Sequence, residues 1–144
     1  MKQEFSAGVI VYYEEKSSAT IQRVYLLLYY RNKYWDFPKG KLENKETYKE
    51  AALRELKEET GLALSLKEGF EQTISYFFKD TDGVLVDKTV VYFVGKADTK
   101  NVTLSDEHID FEWLPLQESI SQLTYANAKQ VLSMADNFIN GNDE

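Results

Sequence analysis

The chain has 144 residues, the length of a single domain spanning residues 1–144, and 43% of them are hydrophobic, enough for a substantial core. A net charge of −7 and a pI of about 4.8 argue against a general nucleic-acid binder, which needs a basic surface to neutralise phosphates. The absence of cysteine excludes disulfides, thiolate chemistry and Cys-type zinc sites.

Phe5 to Tyr13 is apolar and β-branched and predicts a strand, and the polar stretch Glu14 to Thr20 predicts a turn. Val24 to Tyr30 is a continuous apolar run, as in a strand buried on both faces. Trp35 to Lys41 contains Pro38 and Gly40 and reads as a structured loop. Thr47 to Thr60 is the clearest helix, with Ala51, Ala52, Leu53 and Leu56 on its apolar side and Gly61 as its stop. Ser65 to Asp80 alternates like a strand, Asp80 to Gly83 is a turn, and Val84 to Lys96 is the partner strand of a hairpin. Ile109 to Leu114 predicts a short strand ended by Pro115, Leu116 to Gln122 a short helix, and Asn127 to Asn140 a closing helix, with fraying over Gly141 to Glu144. Strands flanking a middle helix imply an α+β layered domain. The N-terminus lacks the pattern of a signal peptide and no apolar run reaches the ~18 residues of a membrane span. The expectation is a cytoplasmic protein with no membrane partner.

Within the central helix, Glu55, Glu58 and Glu59 fall at i, i+3 and i+4, on one face. Like charges at that spacing cost roughly a few tenths of a kcal/mol per pair, and Arg54 with Glu58 offsets only part of it. An acidic face that is simply solvated is the ordinary alternative. Clustered carboxylates on a rigid element are also what a hard cation needs. Mg²⁺ takes oxygen ligands shared between protein, water and phosphate, and it polarises a phosphoryl oxygen and lowers the pKa of an attacking water.

From Gly40 to Leu62 the chain fits G-x₅-E-x₇-R-E-U-x-E-E-x-G-U, with U a bulky aliphatic, at every specified position. The segment therefore resembles the Nudix box. The resemblance implies a Nudix α/β/α sandwich with a central mixed β-sheet, and pyrophosphohydrolysis of a nucleoside diphosphate linked to another moiety. It implies Mg²⁺, with Mn²⁺ as a substitute, held by Glu55, Glu58, Glu59 and the Gly40 carbonyl. Arg54 would hold a carboxylate in place, and Glu46 would be mainly structural near the helix start. Glu43 and Glu50 fall at unspecified positions and are expected on the solvated surface.

The flanks resemble the asymmetrical diadenosine tetraphosphate hydrolases of the animal and archaeal type. They are Trp35 to Gly40, Gly69-Phe70, Ile74 to Tyr76, Lys88 to Phe93, Leu104 to His108 and Trp113-Leu114. That resemblance implies cleavage of diadenosine tetraphosphate to ATP and AMP, with Lys39 and Lys88 near the phosphates. Tyr76 and Tyr125 would stack on one adenine, where stacking contributes about 1–3 kcal/mol. Glu107 would be a further metal ligand or the general base, and the sequence leaves the choice of base between Glu55 and Glu107 open. Tyr34 stands where animal relatives carry His, a departure that bears on substrate preference and leaving-group assistance. His108, the only histidine, is expected to be structural. The alternatives are RNA 5′-pyrophosphohydrolysis, diphosphoinositol or (d)NTP hydrolysis, and a silent nucleotide sensor. The expected partner is a small dinucleoside polyphosphate, with RNA 5′ ends the one nucleic-acid exception, and the expected state is a monomer.

Overall fold

A computed structural model describes residues 1–142. Its elements are β1 (Lys2–Lys16), β2 (Ile21–Tyr30), β3 (Tyr34–Asp36), β4 (Lys39–Lys41), α1 (Tyr48–Thr60), β5 (Gln72–Lys79), β6 (Leu85–Lys96), β7 (His108–Pro115), α2 (Leu116–Gln122) and α3 (Ala126–Asn142). All seven strands join one mixed sheet: β1 pairs in parallel with β6, and every other strand pair is antiparallel.

Side chains alternate across a strand, so a sheet covered on both faces needs apolar residues in both sets. That is the pattern here. Ile10, Tyr12, Tyr25, Leu27, Val90 and Tyr92 pack with α3 residues such as Val131, Leu132 and Ala135. Their strand neighbours Val9, Val11, Leu26, Leu28, Val91 and Phe93 pack on the other face with Ala51, Ala52 and Leu56 of α1. Two cores on opposite faces of one sheet make the three-layer sandwich, and the both-face burial expected of Val24 to Tyr30 is observed, with Tyr29 alone less buried.

β1 and β2 pair only near their hairpin, from Tyr12 opposite Tyr25 to Lys16 opposite Ile21. Beyond it they diverge, and the wedge between them is filled by β4 on β1 and β3 on β2. The segment Trp35 to Lys41 is therefore two short strands around Phe37-Pro38, where the sequence suggested a loop. A glycine is required beside it: a Cβ on Gly8 would lie 2.8 Å from the Pro38 carbonyl oxygen and 2.9 Å from Lys39 Cβ and Tyr92 Cε1.

Other boundaries also differ from the sequence reading. Glu14 to Lys16 continue β1 because their backbones pair with Ile21 to Arg23, and the turn shrinks to residues 17–20. β5 begins only at Gln72. The stretch before it turns through Gly69, at φ 96°, and touches the sheet by a single bridge, Leu66 to Gly95. α3 starts one residue earlier than the apolar spacing suggested and reaches Asn142, so Gly141 is helical, and residues 143–144 lie outside the described part. No helix among the described residues is long and apolar enough to cross a membrane.

Candidate functional site

Helix α1 is bounded by its own chemistry. Thr47 Oγ1 accepts from the Glu50 N–H at 3.1 Å while Glu50 Oε1 accepts from the Thr47 N–H at 2.9 Å, a reciprocal capping box. Glu50 is exposed, as expected, and its side chain also fixes where the helix starts. At the other end Gly61, at φ 76°, donates its N–H to the Lys57 carbonyl. The carbonyls of Glu59 and Thr60 are taken up by the loop before β7, through the Ser105 N–H at 3.2 Å and the Thr103 N–H at 2.9 Å. Satisfying the helix end in this way carries Glu107 and His108 to Glu59.

Arg54 organises the exposed half of the carboxylate group. Its guanidinium grips Glu46 with two hydrogen bonds, 2.6 and 2.9 Å, and reaches Glu55 at 2.8 Å, Glu58 at 3.1 Å and the Lys41 carbonyl at 3.0 Å. Glu43 lies 3.5 Å away and is well exposed. The bond to Glu46, then burial and Glu55, set the guanidinium's balance, and its pKa is raised. Glu46 is held below the usual carboxylate range by Arg54 and by the Glu43 N–H. Gly40 touches this group directly: a Cβ there would sit 2.1–2.5 Å from the Glu55 carboxylate atoms, so only glycine leaves that carboxylate its place.

Glu59 is the buried half, 2% exposed. Its Oε1 accepts from the Lys39 N–H at 3.3 Å and the Tyr30 hydroxyl at 3.5 Å, and Oε2 has no partner. Burial, and then the neighbouring Glu55 carboxylate, push its pKa up to about 10. A buried carboxylate with an orphan oxygen and acidic neighbours is short of positive charge. Glu59, Glu107 and His108 each offer a ligand atom, and these lie within 4.8 Å of one another. The donor set therefore fits a divalent cation.

His108, expected to be structural, is 4% exposed and stands beside this group. Its Nε2 is 3.3 Å from Glu59 Oε1 without the alignment of a hydrogen bond, and its Nδ1 is 3.1 Å from Ser105 Oγ. Burial lowers its pKa to about 4. The signal in the sequence was only its adjacency to Glu107, and nothing there announced burial.

The other sheet face carries the lysines and Tyr76, while Tyr34 packs beside Tyr30 at the edge of the α1-side core. β4 is the seam: Gly40 faces α1, whereas Lys39 and Lys41, opposite Gly8 and Ser6, face the α3 side. Lys39 forms a buried ion pair with Asp36 at 2.9 Å, a partner the sequence reading did not single out. Burial opposes the charge on Lys39, but Tyr92, Asp36 and Tyr76 outweigh it and its pKa is raised. Lys88 lies opposite Tyr76 across β5 and β6 and is 3.9 Å from Glu4, and burial with nearby Lys39 lowers its pKa. Tyr34 stacks on Tyr30 at 4.6 Å and 5°, meets Tyr125 at 5.6 Å, and has Lys39 over its ring. Burial pushes the Tyr34 phenol up to about 12. Burial raises the Tyr76 pKa, and the charges of Lys39, Asp36 and Tyr125 also act on it.

The family model of the NUDIX domain matches residues 2–134. The chain is 29% identical to the asymmetrical bis(5′-nucleosyl)-tetraphosphatase of Caenorhabditis elegans over 140 residues, 94% of this chain and 96% of that protein. It is 32% identical to the Mus musculus protein of the same name over 111 residues, 74% of this chain and 72% of the relative. A Mycobacterium tuberculosis protein described as mutator protein MutT4 is 36% identical over 108 residues. They cover 73% of this chain but 42% of that relative, so the chain spans less than half its length. Among solved structures, a C. elegans Ap4A hydrolase binary complex matches with a TM-score of 0.82 at 28% identity, covering 96% of this chain and 98% of that one.

Proposed function

The chain belongs to the Nudix family of pyrophosphohydrolases, and from that premise we propose that it cleaves diadenosine tetraphosphate to ATP and AMP with Mg²⁺. The observation that carries this reading is the pairing of two halves at β4: a carboxylate group short of positive charge on one side, and a cluster of lysines and tyrosines on the other. Glu55, Glu58, Glu59 and Glu107, with the Gly40 carbonyl, would hold the divalent ions, Mn²⁺ being the substitute. Bound there, such ions supply charge for the phosphoryl oxygens and make a water more acidic.

The protein's own groups would do the rest. Arg54 bridges Glu55 and Glu58 to Glu46 and fixes their directions. Glu55 or Glu107 takes the proton of the attacking water. The water oxygen forms a bond to phosphorus as the bridging P–O bond breaks, and the leaving phosphate departs with that oxygen. Lys39 and Lys88 offset part of the polyphosphate charge, and Tyr76 and Tyr125 supply faces for one adenine. Positioning and charge neutralisation supply most of the rate, as in phosphoryl transfer generally.

Tyr34 favours a second reading, another Nudix specificity, because its ring occupies the wall of the aromatic cluster with a bulk and a proton affinity unlike those of histidine. Product analysis decides. The protein is incubated with Mg²⁺ and a panel of diadenosine polyphosphates, triphosphate-ended RNA, diphosphoinositol polyphosphates and dNTPs. ATP plus AMP from the tetraphosphate is the expected result. Preferential turnover of another substrate would establish the second reading, and binding without turnover would mark a sensor.

A further inference from the structure

We propose that Glu59, Glu107 and His108 form a cation position with one nitrogen ligand, which takes a first-row transition ion in preference to Mg²⁺. The inference rests on the hydrolase reading above and deepens it, since it concerns which ions that site accepts.

Two buried atoms of this group lack a hydrogen-bond partner, Glu59 Oε2 and His108 Nε2, and Nε2 lies 3.3 Å from the other Glu59 oxygen, Oε1. Buried polar atoms are nearly always satisfied, so unpartnered donors on two neighbouring residues call for a partner. A carboxylate oxygen and an imidazole nitrogen are both donors to a cation. Glu107 brings a third donor from the exposed side, within 4.8 Å of the others. The 3.3 Å between His108 Nε2 and Glu59 Oε1 is close to the roughly 3 Å that separates adjacent ligands of an octahedral ion with ~2.1 Å bonds.

The rest of the imidazole is arranged for ligation. Nδ1 faces Ser105 Oγ at 3.1 Å. A hydroxyl oxygen accepts as readily as it donates, so Nδ1–H donating to Ser105 leaves Nε2 bare. Ligating histidines are held by such a partner on the other nitrogen. Tyr30 packs against the ring at 4.4 Å and 67°, and the loop leading into His108 is bonded to the end of α1, so the nitrogen is held in place. Mg²⁺ prefers oxygen ligands, whereas imidazole strengthens binding along the series from Mn²⁺ towards Zn²⁺. The competing role for His108 is that of a core residue donating an N–H to Glu59.

The single histidine makes the test clean. The intact protein is loaded with Mn²⁺ and its electron spin-echo modulation recorded, with and without ¹⁵N-histidine labelling. Nitrogen coupling of a directly bound imidazole, altered by the label, is the expected result, and it needs no variant. His108→Gln should remove that coupling and weaken Mn²⁺ by about tenfold or more, while Mg²⁺ affinity changes by less than about threefold. No histidine nitrogen coupling, no Mn²⁺ binding, or equal weakening of both ions would overturn the proposal. Turnover of diadenosine tetraphosphate is measured in parallel. Coupling without turnover of any nucleotide would sink the hydrolase reading and leave this cation position standing; turnover without coupling would do the reverse.

Discussion

Under α1, the charged groups come from one continuous run: Glu46, Arg54, Glu55, Glu58 and Glu59. Across the sheet, Lys39, Tyr76 and Lys88 come from β4, β5 and β6, and Tyr125 from the residue before α3. The first group is set by helical period and needs nothing distant to take shape. The second exists only because strand register brings Gly8 opposite Lys39 and Tyr76 opposite Lys88. The helical group is also short of positive charge, whereas the sheet group already pairs Lys39 with Asp36. Replacing a carboxylate of the helical group should therefore strike chemistry and spare the fold, and replacing a buried charge of the sheet group should strike both.

The largest effect separates the two most sharply. Glu59→Gln should lower turnover by more than about a hundredfold, since even outer-sphere changes at metal sites cost 10–100-fold. It should not destabilise the metal-free protein. A carboxyl whose folded pKa is raised to about 10 from 4.5 binds more protons folded than unfolded across that window. Stability of metal-free protein therefore falls as pH rises through it. His108, lowered from 6.5 to about 4, has the opposite slope, but only below pH 6.5. Above 6.5 the Glu59 trend is opposed by Lys88 alone, whose lowered pKa adds a rising slope as pH approaches 10.5. Thermal melts in EDTA should show Tm falling from pH 7 to 9, a divalent ion should raise Tm most at pH 9, and Glu59→Gln should flatten the decline. A flat wild-type curve would break the contrast in charge.

Lys39→Met comes next. It leaves Asp36 buried without its partner, which costs about 3–5 kcal/mol. Urea unfolding should show that loss along with a raised KM. A stable variant with only a raised KM would mean that Lys39 belongs to substrate rather than to the sheet.

Tyr125→Ala tests a ring that neither core needs. Tyr125 is 55% exposed, so stability should change by about 0.5 kcal/mol or less. KM for diadenosine tetraphosphate should rise by the loss of about 1–3 kcal/mol of stacking, with kcat nearly unchanged. An unchanged KM would remove Tyr125 from the base site.

What could be read from the sequence follows the same division. Glu55, Glu58 and Glu59 sit within a helix directly flanked by its start and stop residues, Thr47 and Gly61, so their common face was legible. The strands of the two cores were legible too, because alternation and apolar runs are local. Asp36 and His108 were not. Each is a polar residue whose importance comes from burial against a partner, and burial is decided by elements far away in sequence. The strands β3 and β4 were missed because three-residue strands leave no periodicity; they form where diverging β1 and β2 leave backbone groups to be paired.

The smallest effect asks how independent the helical side really is. Thr47→Ala removes the side-chain acceptor of the capping box and frees the Glu50 N–H, at about 1 kcal/mol. For a chain of this size that lowers Tm by about 2–4 °C. Glu55, Glu58 and Glu59 lie at least two turns further along, and their directions are set by Arg54, Gly40 and the loop bonded to the helix end rather than by the cap. Turnover at a temperature well below Tm should therefore stay within about twofold of wild type. A loss of turnover larger than that, with the fold intact by circular dichroism, would mean that fraying at Thr47 travels along α1 to the carboxylates. The helical side would then depend on its distant end, as the sheet side depends on its register.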